Sequence, residues 1–260
     1  MNVGVSMRRR LSWACVGLAA LAIVVAAVPA LRRYAVSEVQ KLVARKTIDE
    51  RLAEYAAGVE SRLRMPVERA GLAYPPPRLA LLAFKDAKRL ELYGAQADGG
   101  DPAWRFIRAY PILAASGGPG PKLAEGDGQV PEGVYGIESL NPNSRYHLAL
   151  RVSYPNDDDR ARARADGRER RGSDIMIHGS NASVGCLAMG DPAAEDLFVL
   201  AALAGVERVT VVIAPSDVRV APLAPPPASA GSPAWLAERY RVIADALRRF
   251  PQPSGDGAGR

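Results

Sequence analysis

The chain has 260 residues, 48% of them hydrophobic, and a formal net charge of +6. That is enough for one sizeable core with extensions, or at most two small domains. Residues 1–30 carry three arginines and no acid, so without them the charge falls to +3, and with no basic stripe interleaved with aromatics, no zinc-finger spacing and no phosphate-binding glycine loop, nucleic acid is not expected as a partner.

Arg8-Arg9-Arg10 precede a run from Leu11 to Ala27 that is apolar apart from Ser12, and Val28-Pro29-Ala30 has the small residues a signal peptidase accepts. The run is also near the ~20 residues of a membrane span. Residues 1–33 therefore read either as a cleaved signal peptide or as an N-terminal membrane anchor. Both readings export the rest of the chain. Cys15 lies in the apolar run as filler, so the exported part holds one cysteine, Cys186. An oxidising compartment favours paired cysteines, and a lone one points to intermolecular pairing or a reactive thiol.

Residues 34–77 read as a helical stalk and linker. Leu52, Tyr55, Ala56, Val59 and Leu63 recur at helical spacing and predict an amphipathic helix from about Ile48 to Arg64. Pro66 and Tyr74-Pro75-Pro76-Pro77 are expected to close it. Residues 78–220 are the expected catalytic domain. Leu79–Phe84 and Arg89–Tyr93, joined at Lys85-Asp86-Ala87-Lys88, predict a β-hairpin, and Trp104–Tyr110 a third strand ended by Pro111. The Gly- and Pro-rich stretch 115–133 predicts a long loop that carries function or covers a cleft. Val134–Ile137 and Tyr146–Tyr154 read as strands. Residues 156–173 put Asp157-Asp158-Asp159 ahead of six arginines, which suits the dipole of a short helix; the segment reads as a solvated excursion or, since it leads into the strand ending at His178, as one rim of the site. Asp191-Pro192 predicts a helix start, with Asp191 as cap and Gly205 as stop, and Glu207–Ala214 a strand. Residues 221–260 are a Pro-rich linker and a last helix with Leu236, Tyr240, Ile243, Leu247 and Phe250 on one face, packed on the body or against the first helix.

The chemistry concentrates in Asp174–Met189. Asp174-Ile175-Met176-Ile177 is a buried-strand pattern that puts His178 at a strand end, and Cys186 follows eight positions later. Gly185 lets the chain turn so that Cys186 shares a pocket with His178. The imidazole is expected to take the thiol proton, giving a thiolate–imidazolium pair that is nucleophilic at neutral pH and forms a thioester. The N–H groups around Val184, Gly185 and Cys186 are candidates for an oxyanion site, and Ser183 for orienting the imidazole or donating to that site. One His and one Cys lack zinc-ligand spacing without recruiting Asp174 or Asp191, so no metal and no cofactor is expected. His147, within a strand and without a motif around it, reads as structural or as a pocket wall.

His178-Gly179 followed by Ser183-x-Gly185-Cys186 resembles the signature of the L,D-transpeptidase catalytic (YkuD-like) domain. The resemblance extends over about residues 78–215, including Gly120-Pro121-Lys122 and Pro131-Glu132-Gly133-Val134-Tyr135, and follows the YafK-like branch in Leu187-Ala188-Met189 after Gly-Cys. It implies an α+β, mainly β fold, a β-sandwich with a few peripheral helices. It implies Cys186 as nucleophile, His178 as base and the Gly179 carbonyl as the group that orients the imidazole. It implies as substrate the peptidoglycan stem peptide in the periplasm, attacked at the L-centre carbonyl of a diamino acid. Lys122, Tyr135 and Arg171 are candidates for a substrate rim. Val184 stands where most members have a second histidine and Ala188 where most have an arginine. The branch is associated with cutting murein-bound lipoprotein free. Hydrolytic release of a lipoprotein lysine is therefore the leading expectation, beside true transpeptidation, a murein-binding module with a degenerate site, and a general cysteine peptidase.

Overall fold

The computed structural model describes Arg33 and residues 45–96, 100–222 and 233–253. The leader or anchor expected at residues 1–33 falls outside these apart from Arg33, as do residues 34–44 and 223–232. Among the described residues no helix is long and apolar enough to cross a membrane. Every element below belongs to the compact unit Thr47–Arg260.

Helix α1 (Ile48–Arg69) opens with a capping box: the Thr47 hydroxyl accepts from the Glu50 N–H, and the Glu50 carboxylate accepts from the Thr47 N–H. The expected stop at Pro66 does not occur. Proline removes one helical hydrogen bond, at a cost of about 3 kcal/mol, but Val59, Leu63 and Val67 recur every four residues and are fully buried. Carrying the helix past Pro66 buries Val67, which contributes about 1.5–3 kcal/mol. The helix ends at Ala70, where the Gly71 N–H bonds the Glu68 carbonyl and the Leu72 N–H the Val67 carbonyl, a Schellman pattern. The expected stalk is thus a packed element: its buried face joins the main core, and Arg62 bonds Asp196 and Glu195.

Eight strands follow: β1 (Arg78–Phe84), β2 (Arg89–Ala95), β3 (Arg105–Pro111), β4 (Gly133–Ser144), β5 (His147–Val152), β6 (Met176–His178), β7 (Leu187–Ala188) and β8 (Val209–Ala214). Their spatial order is β3-β2-β1-β8-β4-β5-β6-β7. The β1–β8 and β6–β7 pairs are parallel and the others antiparallel. The fold is mainly β with helices packed around it. Strand β4 is longer than expected because it serves twice, pairing with β8 over Gly133–Gly136 and with β5 from Ile137 onward. The first residues of the expected strand at Glu207 wind instead as a 3-10 turn, Val206–Arg208.

The helices explain the apolar run of β1. Leu79, Leu81 and Ala83 face the core shared with α1 and with α3 (Asp191–Ala204), while Ala80, Leu82 and Phe84 face α4 (Leu236–Leu247). A strand covered on both faces reads as continuously hydrophobic. Helix α4 uses the stripe expected of it and lies on the sheet face opposite α3. Helix α2 (Asp157–Ala165) is capped by Asn156 in a second capping box with Asp159.

Candidate active site

The register of β5, β6 and β7 puts the chemistry on one face. Ile177 pairs with Leu150 on one side and Leu187 on the other, and all three are buried in the main core. Alternation sends their neighbours to the opposite face: Ala149, Arg151, Met176, His178 and Ala188. One residue back along β7, Cys186 lies beside Met176, whose N–H donates to its Sγ at 3.4 Å. His178 and Cys186 thus share the outer face of one short parallel pair.

Two contacts hold the imidazole, and a third fastens the loop behind it. His178 Nδ1 lies 2.6 Å from the Gly179 carbonyl oxygen; a carbonyl only accepts, so Nδ1 carries the proton and Nε2 keeps a free lone pair. Tyr146, at the β4–β5 turn, stacks on the ring at 4.8 Å between centroids and 27° between planes. Behind the loop, Asp191 Oδ1 accepts from the Ser180 N–H at 2.7 Å. A Cβ on Gly179 would meet that oxygen at 2.5 Å and the Tyr146 carbonyl at 2.9 Å, so only glycine fits there. Asp191 was expected to cap α3; Gly190 takes the cap position and Asp191 is free to tie down the loop after His178. Burial lowers the His178 pKa, against the hydrogen bond to Gly179 that raises it.

Cys186 is a free, half-buried thiol. Its Sγ also lies 3.6 Å from the Asp174 carbonyl oxygen, which the S–H donates to. Burial pushes the thiol up, and Asp174 adds to this, while the Met176 N–H and the positive charge of Lys122 pull it down. Burial thus works against the charged form of each partner in the thiolate–imidazolium pair expected from the sequence.

The turn before Cys186 is fastened by two serines. Ser183 Oγ accepts from the Cys186 N–H at 3.0 Å and donates to the Cys186 carbonyl at 2.7 Å, so it braces the backbone of Cys186 and does not touch the imidazole. Gly185, at φ +85°, donates its N–H to Ser116 Oγ on the 115–133 loop. Ser116 in turn donates to the Gly128 carbonyl at 2.6 Å. Two of the three amides considered for an oxyanion site thus hold hydroxyls at rest. Val184 stands 86% exposed at the tip of the turn, and Ala188 is fully buried.

The candidate rim residues separate. Lys122 is buried, with Nζ on Asp127 Oδ1 at 2.6 Å and on the Ala124 carbonyl at 3.0 Å, and acts on Cys186 through its charge. Tyr135 is not at a rim: it is buried in the core, edge-on to Tyr154, and its hydroxyl donates to the Glu132 carbonyl. Arg171 meets the body through its main chain, its carbonyl accepting from the Tyr154 hydroxyl at 3.2 Å. His147 is structural, with Nε2 3.1 Å from Glu195 Oε1 and its ring edge-on to Tyr55. Tyr146 and Ser116 were not singled out in the sequence, and Asp191 only as a helix cap or a recruited metal ligand. Among the described residues no group of three His, Cys, Asp or Glu side chains is arranged to hold a metal ion.

With this geometry in hand, the chain matches the model of the L,D-transpeptidase catalytic domain, YkuD, over residues 81–213, more than half of its length. It belongs to the L,D-transpeptidase catalytic-domain family. YafK of Escherichia coli K12, which carries an L,D-transpeptidase name, is 37% identical over 117 residues, 44% of this chain and 44% of that protein. The chain thus spans less than half the length of that relative. Among solved structures it is similar to the helical cell shape determining protein Pgp2 of Campylobacter jejuni, with 22% identity, TM-score 0.42, and coverage of 65% of this chain and 54% of that one. L,D-transpeptidase 1 of Mycobacterium tuberculosis gives 15% identity, TM-score 0.30, and coverage of 53% and 62%.

Proposed function

We propose that this protein is a periplasmic cysteine acyl-enzyme acting on peptidoglycan stem peptides at the L-centre carbonyl of the diamino acid, and that it releases an attached amine, such as a lipoprotein lysine, by hydrolysis. The observation that carries the reading is the placement of His178 and Cys186 on one face of the β6–β7 pair, with His178 Nδ1 committed to the Gly179 carbonyl and Nε2 left as a base. The proton passes from Sγ to Nε2 as sulfur attacks the carbonyl carbon, a timing supported by burial, which works against the charged form of each group. The tetrahedral oxyanion then takes N–H groups from the turn 184–186; the Val184 amide is the one of the three with no hydrogen bond to the described residues, and the Gly185 and Cys186 amides become donors by exchanging Ser116 and Ser183 for it. Collapse breaks the C–N bond, the imidazolium returns its proton to the leaving amine, and a thioester remains on Cys186. Water, deprotonated by His178, attacks the thioester and regenerates the thiol with a free carboxylic acid.

The preference for water rests on what flanks the thiol. Val184 is apolar and exposed, and Ala188 is buried and small, so neither offers a polar group to hold an acceptor amine against water. The test is mass spectrometry of purified sacculi carrying bound lipoprotein, incubated with the enzyme and with its Cys186→Ala variant. Release of lysine-terminated fragments that leaves a free carboxylate, absent in the variant, supports hydrolysis. New cross-links or dominant incorporation of added D-amino acid would make it a transpeptidase, and binding without any covalent change would make it a murein-binding module.

A further inference from the structure

The nucleophile's sheet face continues past Met176 to Arg151, its direct partner across β5 and β6. Neither β6 nor β7 carries a lysine or arginine, so Arg151 is the cation that this face presents. Its surroundings are arranged for exchange. The β4–β5 register slips between Ile137 and Ser139, leaving Glu138 as the extra residue of a bulge, and a bulge re-aims the side chain it carries. Here it brings Glu138 Oε2 within 3.3 Å of Arg151 Nε, while Asp174 Oδ1 stands 2.9 Å from Arg151 Nη2. Both acids are more than half exposed, and exposed ion pairs contribute only ~0–1 kcal/mol, so a ligand carboxylate displaces them easily. A cleft of about 450 Å³ opens over Arg151 and Glu138, lined by these two with Ser153, Asn156, Arg160 and Ser173 among others. Ser173 is next to Asp174, whose carbonyl meets the Cys186 thiol.

We propose that this cleft binds the zwitterionic end of the diamino acid, the carbon that bears both a free carboxylate and a free ammonium, with Arg151 taking the carboxylate and Glu138 and Asp174 the ammonium. The proposal rests on the functional reading above and gives its substrate a second anchor. A cleft that alternates cation and anion matches a dipolar group and rejects one with either charge removed. Arginine suits the role because its fork of N–H donors fits a carboxylate in two-point fashion.

The experiment compares two soluble stem-peptide analogues whose diamino acid is joined at its L-centre carbonyl to a lysine side chain, one with the carboxylate and amine of its other end free and one with that carboxylate amidated. Binding to the Cys186→Ala protein is measured by titration calorimetry, which needs no turnover. The free peptide is expected to bind about ten- to a hundred-fold more tightly, the worth of one charge-assisted contact. Adding Arg151→Gln removes that difference by weakening the free peptide alone; adding Arg151→Lys, which keeps the charge and guards against misfolding, leaves a reduced one. Equal binding of the two peptides, no binding of either, or discrimination that survives Arg151→Gln overturns the proposal. If discrimination behaves as expected but the wild-type enzyme turns over neither peptide nor sacculi, the acyl-enzyme reading falls and the subsite stands.

Discussion

Asp191 Oδ1 accepts the Ser180 N–H at 2.7 Å, and this one bond couples the first residue of helix α3 to the loop that carries the Gly179 carbonyl. The same carbonyl holds His178 Nδ1, so the helix start and the candidate base are two bonds apart. Asp191→Ala is expected to lower kcat about tenfold by loosening the imidazole, with little change in KM, because substrate binding is untouched. Kinetics on a soluble stem-peptide substrate check this; a change confined to KM would remove Asp191 from the positioning of His178.

Gly179→Ala tests the same junction sterically. The added Cβ would sit 2.5 Å from the Asp191 carboxylate and 2.9 Å from the Tyr146 carbonyl. One of these groups must move, and either movement displaces the ring of His178. The variant is expected to lose about a hundredfold or more in kcat/KM and to melt several degrees lower. Wild-type turnover in a normally folded variant would show that the loop has more room than the structure gives it.

The pH response follows from burial. His178 has a lower pKa folded than unfolded, so as pH falls through the ordinary histidine range the unfolded chain takes up the proton first and stability declines. Cys186 has a higher pKa folded than unfolded, so as pH rises through the ordinary thiol range the unfolded chain ionises first and stability declines again. Alkylation of Cys186 in the native protein should rise with pH to a midpoint above the ordinary cysteine range. A midpoint below that range would restore a resting ion pair and with it the expectation drawn from the sequence alone.

How far the sequence leads depends on whether the deciding contacts are local. The hairpin β1–β2, the body of α3 and the stripe of α4 were legible because period and punctuation lie within a dozen residues. His178 and Cys186 stood out because they are the one histidine with a motif and the one cysteine outside residues 1–33. Helix α1 ran past Pro66 because Val67 meets a core built from residues far along the chain, which no local rule contains. Tyr135 was misjudged for the same reason: being next to the glycine-rich loop says nothing of which face of β4 it takes. Ser116 reaches Gly185 across 69 positions, and Asp191 looks like an ordinary cap until the fold brings Ser180 to it.

The last prediction concerns what holds the 115–133 loop over the site. Lys85 and Glu132 form an ion pair at 3.1 Å with both side chains almost wholly buried. Lys85 Nζ also donates to the Gly120 and Val130 carbonyls, and Glu132 accepts from the Gly120 N–H and the Tyr240 hydroxyl. Burial lowers the Lys85 pKa, against Glu132, which raises it. The loop fastened here delivers Ser116 to Gly185 and Lys122 to the field of Cys186. Glu132→Gln leaves a buried ammonium without its counter-charge and is expected to destabilise the protein by about 3–5 kcal/mol. Lys85→Met strands the carboxylate in the same way. Because the penalty in each single variant comes from the partner left behind, the double variant should be less destabilised than the sum of the two, by at least about 1 kcal/mol. It should still lose activity, since Gly120 is no longer held from both sides. Denaturant unfolding gives the coupling, and turnover of the double variant gives the functional part. Additive stabilities would mean that the pair is not coupled, and full activity in the double variant would show that the loop keeps its place without it.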